Sequence, residues 1–163
     1  MEKFENFNEL ILALMLWITS NTNYINPKQT PSVEFIEQSK LSELACGNRE
    51  CEIMAYTPIE PKYKVYLADN LDPMNDICHR AVLLHELIHV KQWVEGSLQF
   101  KRGNKMYYKD EYVDKTDYHN QPHEIEAFEL EGIIYQNYLE EQYGVTPDEV
   151  SFFYSNRLPS RYT

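Results

Sequence analysis

The sequence predicts an α+β domain, and three observations carry that prediction. Two long helix patterns, at about 75–95 and from Pro122 to Gly144, dominate the second half. Two short alternating segments, "CEIMAYTP" and "YKVYLAD", stand ahead of them. A chain of 163 residues with 43% hydrophobic and 13% aromatic side chains is also long enough to bury one continuous core. The expected organisation is a single domain over 1–163: an N-terminal helix and loop (1–30), a core that carries the site (50–144), and a C-terminal helix and tail (146–163).

Each element follows from local pattern. The apolar run "LILALMLWI" at 10–18, extended by Phe4 and Phe7, reads as a buried N-terminal helix. A signal peptide is disfavoured, because Glu2, Glu5 and Glu9 outweigh Lys3 where a positive flank is needed. The run is too short to span a bilayer, so membrane contact through 10–18 is the weaker reading. "NTNYINPKQTPS" (21–32) carries two prolines and reads as a loop, with a short helix at about 33–44 after it. Ile53 and Ala55 share one strand face, as do Val65 and Leu67, and the prolines of "TPIEPK" suit a hairpin turn between them. "NLDPMNDI" then stops the strand and starts the helix that ends before Gly96. The polar, tyrosine-rich stretch 97–120 fits either a short hairpin around Gly103 or a mobile loop. Pro122 and Gly144 bound the second long helix, and Thr146-x-x-Glu149 has capping-box spacing for a short final one.

Charge and cysteines narrow the partners. Asp and Glu outnumber Lys and Arg 26 to 15, a formal net charge of -11, and no basic cluster is long enough to follow a phosphate backbone. Nucleic acid is therefore excluded as an expected partner. Cys46 and Cys51, in "ACGNREC", are close enough to bridge a tight turn in an oxidising compartment, whereas two buried thiols fit the cytoplasm, which is mildly favoured. No second Cys/His pair with finger spacing makes a structural zinc site of them, and Cys78 reads as a core residue of the long helix.

The chemistry sits in "LLHELIHVKQW" (83–93). Residues four apart on a helix are about 40° apart in rotation and about 6 Å apart in space, so His85 and His89 project side by side and can meet one Zn²⁺. Glu86 leans about 100° around the helix, where it can take a proton from water activated by the metal. Val82, Leu83, Leu84, Leu87, Ile88, Val90, Trp93 and Val94 make this helix central, and titratable groups there are costly unless paired or coordinated. Trp93 reads as core packing, and Gln92 as either a partner of the site or an exposed residue. Two histidines do not complete a catalytic zinc site. "NQPHEIEAFELEG" offers Glu124 as a third ligand, with Glu126 as the rival and His119 and His123 behind it.

His85, Glu86 and His89, with Glu124 and Ala127 in a Glu-x-x-Ala arrangement, resemble the gluzincin branch of the zincin metallopeptidases over roughly residues 50–140. The chain is similar to short bacterial and phage-type members with little beyond the minimal core. The resemblance implies a zincin-like fold, in which a small mixed or antiparallel sheet packs on the motif helix and a glutamate-bearing helix closes the site. It also implies that Glu124 is the third ligand. Phe128 stands where many gluzincins carry an acid that orients the first histidine, which leaves Glu126 or Glu131 to serve. No third motif histidine with its glycine turn follows position 89, which excludes the metzincin branch. An edge strand beside the motif helix is expected to take extended substrate by strand addition, with "YKVYLAD" as the candidate edge.

The expected function is zinc-dependent hydrolysis of peptide bonds in a peptide or protein substrate, with one Zn²⁺ per chain held by His85, His89 and Glu124. Glu86 is the expected general base and then acid, and Tyr118, His119 and His123 are the candidates for stabilising the oxyanion. The rival from another class is a non-catalytic zinc-binding structural or interaction protein on the same fold. An open fourth coordination position separates the two.

Overall fold

A helix buried along most of its length organises the molecule. The computed structural model describes residues 4–24, 29–47, 53–101, 103, 105–113 and 120–149. Helix α3 (Ile77–Val94) is buried at every position from Arg80 to Gln92. The sequence explains this, because apolar side chains occur around the whole circumference of that stretch and leave no solvent face. Asp76 starts the helix by accepting from the backbone amides of Cys78 and His79. Gly96, at φ 83°, turns the chain away after it.

Helix α1 (Phe7–Asn21) covers one side of α3 with Leu10, Ile11, Leu14, Met15 and Ile18, all buried. Asn6 caps it by accepting from the Glu9 amide. Among the described residues no helix is long and apolar enough to cross a membrane.

Helix α4 (Pro122–Tyr143) lies against both α1 and α3. Its start is set by Pro122 and its end by Gly144, which takes the left-handed conformation at φ 65°. Trp17 of α1 meets Tyr138 of α4 edge-on at 5.6 Å between ring centres. Arg80 is buried and ties three segments together: it donates to the carbonyls of Pro73 and Met74 and to the hydroxyls of Tyr138 and Tyr143.

A three-stranded mixed sheet packs on α3. Strand β1 (Ser32–Ile36) runs parallel to β3 (Lys64–Ala68), and β2 (Ala55–Tyr56) runs antiparallel to β3, giving the order β1-β3-β2. The hairpin between the two alternating segments is present. The edge assignment is corrected: "YKVYLAD" forms the central strand, hydrogen-bonded on both sides, and the edge nearer the site is β2.

The helix expected at about 33–44 is also corrected. Residues 32–36 are strand, and helix α2 (Gln38–Cys46) begins only after Glu37. Pairing with β3 along the whole of "SVEFI" outweighs local helical preference, and Phe35 packs edge-on against Phe7 of α1 at 5.3 Å.

The stretch after α3 contains strands rather than an unstructured loop. β4 (Leu98–Lys101) and β5 (Lys105–Tyr108) pair across Gly103, and β6 (Glu111–Tyr112) continues the antiparallel meander. Leu98, Tyr108 and Val113 bury a small cluster of their own, with Trp93 and Met106 against it. Residues 147–149 are helical, and the Thr146 side chain caps them, its hydroxyl accepting from the Glu149 amide and lying 3.1 Å from the Glu149 carboxylate. The rest of the expected final helix and tail lies outside the described residues. So does Cys51, and with it the choice between a Cys46–Cys51 bridge and two thiols. Cys78, expected in the core, is half-buried on α3.

Candidate metal centre

His85 and His89 stand one turn apart on α3, and α4 brings Glu124, from its own first turn, over both of them. Glu124 Oε1 is 3.0 Å from His85 Nε2 and 3.1 Å from His89 Nε2. All three side chains are buried. Metal–ligand bonds of about 2.0–2.1 Å in a tetrahedron place ligands about 3.3 Å apart, so two imidazole nitrogens and one carboxylate oxygen at these separations fit a single ion. Of the two carboxylates the sequence leaves in competition, it is Glu124 that meets the histidines. Glu126 points into a different set of bonds. Ala127 is fully buried in the next turn of α4.

The other ring nitrogens are held as well. His85 Nδ1 lies 3.0 Å from Glu131 Oε1, and His89 Nδ1 lies 2.7 Å from Gln92 Oε1. Each neighbouring oxygen accepts a ring N–H, which turns both Nε2 atoms toward Glu124 Oε1. Glu131 therefore fills the role that Phe128 cannot. Phe128 instead packs its ring against His85, 4.4 Å between centres. Gln92, for which the sequence left two readings, is fully buried and bonded to the site.

Glu86 is fully buried on the same helix. Thr57, just past β2, donates to Glu86 Oε2 at 2.5 Å. Its other oxygen, Oε1, is buried without a hydrogen-bond partner among the described residues. Burial pushes the Glu86 carboxyl up to about 8, against the opposing pull of His89 and Thr57. Burial alone would depress His85 and His89, but the adjacent Glu124 and, at His85, Glu131 hold both imidazoles above their ordinary range. Glu124 is held far below the carboxylate range: burial opposes this, and the two histidines outweigh it. The cluster is thus a strong cation-holding arrangement in which a metal would replace shared protons.

His123, one residue before Glu124, is buried with Nε2 3.6 Å from Glu124 Oε2. Its Nδ1 has no hydrogen-bond partner among the described residues. Burial and the neighbouring His89 lower its pKa to about 4. Tyr118 and His119 lie outside the described residues.

A cleft of about 190 Å³ opens beside the cluster. His89, Glu124, His123 and Thr57 line its polar side, and Trp93, Phe100 and Met106 are among its apolar residues. Trp93 is both packed and part of that wall, with its ring 5.5 Å from Phe100.

Sequence reasoning did not find Thr57 or Tyr108, because neither lies in a motif and both arrive through strand pairing. Glu131 is one of the two acids the sequence offers for this role: residues 124, 127 and 131 fall on one helical face, and all three are buried.

Comparison of the chain with family models, with curated proteins and with solved structures finds no match in any of the three.

Proposed function

We propose that the protein is a zinc-dependent peptidase with a zincin-like fold of the gluzincin type. The observation that carries the reading is the convergence of two imidazoles, each with its Nδ1 tied to an oxygen, and Glu124 at the edge of an open cleft, with Glu86 on the same helix. Two nitrogens and one carboxylate oxygen are the donor set of a catalytic zinc site. When bound, zinc supplies Lewis-acid activation of water and of a carbonyl.

The chain's own residues account for the remaining tasks. Glu86 receives the proton from the attacking water and returns it to the leaving amine, and Thr57 fixes the carboxylate through Oε2 so that Oε1 is the oxygen left to do so. His123, at the cleft with an uncommitted Nδ1, is the described candidate for holding the developing oxyanion. The half-open apolar wall accepts a side chain of the substrate.

A non-catalytic zinc site is the competing reading. Structural sites are closed by a fourth protein ligand, whereas His89 and Glu124 both line the cleft, which favours turnover.

The test is zinc content and peptide hydrolysis of wild type and Glu86→Gln. The expected result is equal zinc in both and loss of hydrolysis by at least about 100-fold in the variant. Undiminished hydrolysis in Glu86→Gln removes the catalytic role of Glu86. A zinc-loaded wild type that cleaves no member of a broad peptide mixture removes the peptidase reading.

A further inference from the structure

The metal-facing geometry of His89 depends on which of its nitrogens the protein holds and which it turns to Glu124, and the surroundings of Nδ1 decide this. Gln92 is one turn beyond His89 on α3. Its amide nitrogen donates at 2.9 Å to the His123 carbonyl oxygen and at 3.0 Å to Glu126 Oε1. Both of those partners only accept, so the amide cannot be turned around: its oxygen has to face His89. That oxygen, 2.7 Å from His89 Nδ1, in turn only accepts. Hence Nδ1 carries a proton, and Nε2 is the nitrogen turned to Glu124 Oε1, 3.1 Å away, where a metal would replace the proton the two share.

The chain of bonds extends outward. Glu126 Oε2 accepts from the Tyr108 hydroxyl and sits 3.4 Å from Lys109 Nζ. Tyr108 ends β5, the strand that also brings Met106 to the cleft. The relay His89–Gln92–Glu126–Tyr108 therefore joins a ligand candidate to the β4–β6 meander.

We propose that Gln92 is a positioning residue that holds His89 through its Nδ1–H and so turns Nε2 to the metal position, and that Glu126 and Tyr108 hold the Gln92 amide in the orientation this requires. The proposal deepens the metal-site reading and rests on it for its consequence, which is tighter metal binding. An imidazole already held with Nε2 at the metal position loses less on binding than one free to turn. The position is a third element after His-Glu-x-x-His: a glutamine three residues past the second histidine, buried with it on the α4 side of the helix.

The test uses Gln92→Met, which keeps side-chain length while removing the amide, together with the milder Tyr108→Phe and Glu126→Leu. The Nδ1–H bond is read in zinc-free protein from the nitrogen-15 NMR shift and solvent exchange of the His89 Nδ1 proton, and the zinc Kd by competition with a chromophoric chelator. Expected are a protected Nδ1 proton in wild type, a fast-exchanging one in Gln92→Met, and a Kd raised about 10- to 100-fold in that variant. Smaller losses are expected in Glu126→Leu and Tyr108→Phe. The paired exchange Gln92→Glu with Glu126→Gln keeps an acceptor for His89 and restores a donor between the two side chains, so it is expected to recover part of the affinity that Gln92→Glu alone loses. Unchanged Nδ1 proton exchange and a Kd within about twofold of wild type in Gln92→Met and Glu126→Leu overturn the proposal. A wild type with a protected Nδ1 proton that binds no zinc supports the positioning of His89 and overturns the zinc reading, so the two failures are distinguishable.

Discussion

Thr57 and Glu86 are 29 residues apart in sequence and meet where the chain leaves β2 against α3, with the Thr57 hydroxyl 2.5 Å from Glu86 Oε2. The contact fixes which carboxylate oxygen remains uncommitted. Thr57→Val keeps the shape and removes the donor. A hydrogen bond to a charged group contributes about 1.5–3 kcal/mol, so kcat for peptide hydrolysis is expected to fall about 10- to 100-fold with zinc content unchanged. Steady-state kinetics alongside metal analysis checks this. A kcat equal to that of wild type would show that Glu86 needs no such anchor.

The choice between Glu124 and Glu126 has a direct consequence for metal content. Glu124→Ala removes one of the three ligands proposed for zinc, whose content is expected to drop from near one per chain to a small fraction of it. Glu126→Ala leaves the ligand set whole and weakens binding only through Gln92. Zinc at about a thousandfold above its Kd stabilises a folded protein by about 4 kcal/mol, a Tm increase of about 10 °C for a chain of this size. That increase should be present in wild type, reduced in Glu126→Ala and absent in Glu124→Ala. Retention of the full shift in Glu124→Ala would move the third ligand elsewhere.

The site's primary residues were legible because their chemistry is encoded in helical periodicity. Spacing of four puts His85 and His89 together, and spacing of seven puts Glu131 below Glu124 on α4. Residues that arrive from strands were not legible. Thr57 reaches Glu86 only because β2 pairs with β3, and Tyr108 reaches Glu126 only because the β4–β6 meander folds back over the start of α4. The fold shows the same division. Helices α1, α3 and α4 follow from apolar pattern, Pro122 and the glycines after α3 and α4. β1 does not, since "SVEFI" becomes a strand only by parallel pairing with a partner 32 residues away, as at Ser32 and Lys64. That same pairing moves β3 from the edge to the centre of its sheet.

The stability of α3 is tied to one half-buried carboxylate. Asp76 accepts from the amides of Cys78 and His79 at 2.8 and 3.3 Å, and Asp76→Ala is expected to cost about 1 kcal/mol. Partial burial works against the charged form, but the two amides and His79 outweigh it and lower the Asp76 pKa. A carboxylate whose folded pKa is depressed contributes stability above its unfolded value of about 3.9, and that contribution is lost as pH falls through the lower folded value. The stability gap between wild type and Asp76→Ala should therefore be constant from pH 5 to 8 and shrink below about pH 4. Denaturant titrations at several pH values check it, and a gap that widens in acid would contradict the capping role.

The apolar wall of the cleft makes a prediction about substrates that is separate from the metal chemistry. Phe100 and Met106 are cross-strand partners on β4 and β5, and with Trp93 they form a surface next to His89 and Glu124. Phe100 is 38% exposed, a large apolar ring left partly open to solvent. A substrate side chain that covers this surface gains about 25 cal/mol for each Å² of apolar area removed from water, so a large aliphatic or aromatic residue beside the scissile bond is favoured over a small or charged one. One missing methylene in such a pocket changes kcat/KM by about 10- to 200-fold. Phe100→Ser and Met106→Ser lie outside the ligand set, so both should keep zinc while the preference for large apolar residues falls by about tenfold. Competition among peptides that differ at the two positions flanking the cleaved bond measures it directly. Variants that lose activity equally on all peptides would mean that the wall supports the fold of the meander instead of selecting substrate, whereas a selective loss on apolar peptides assigns it to recognition.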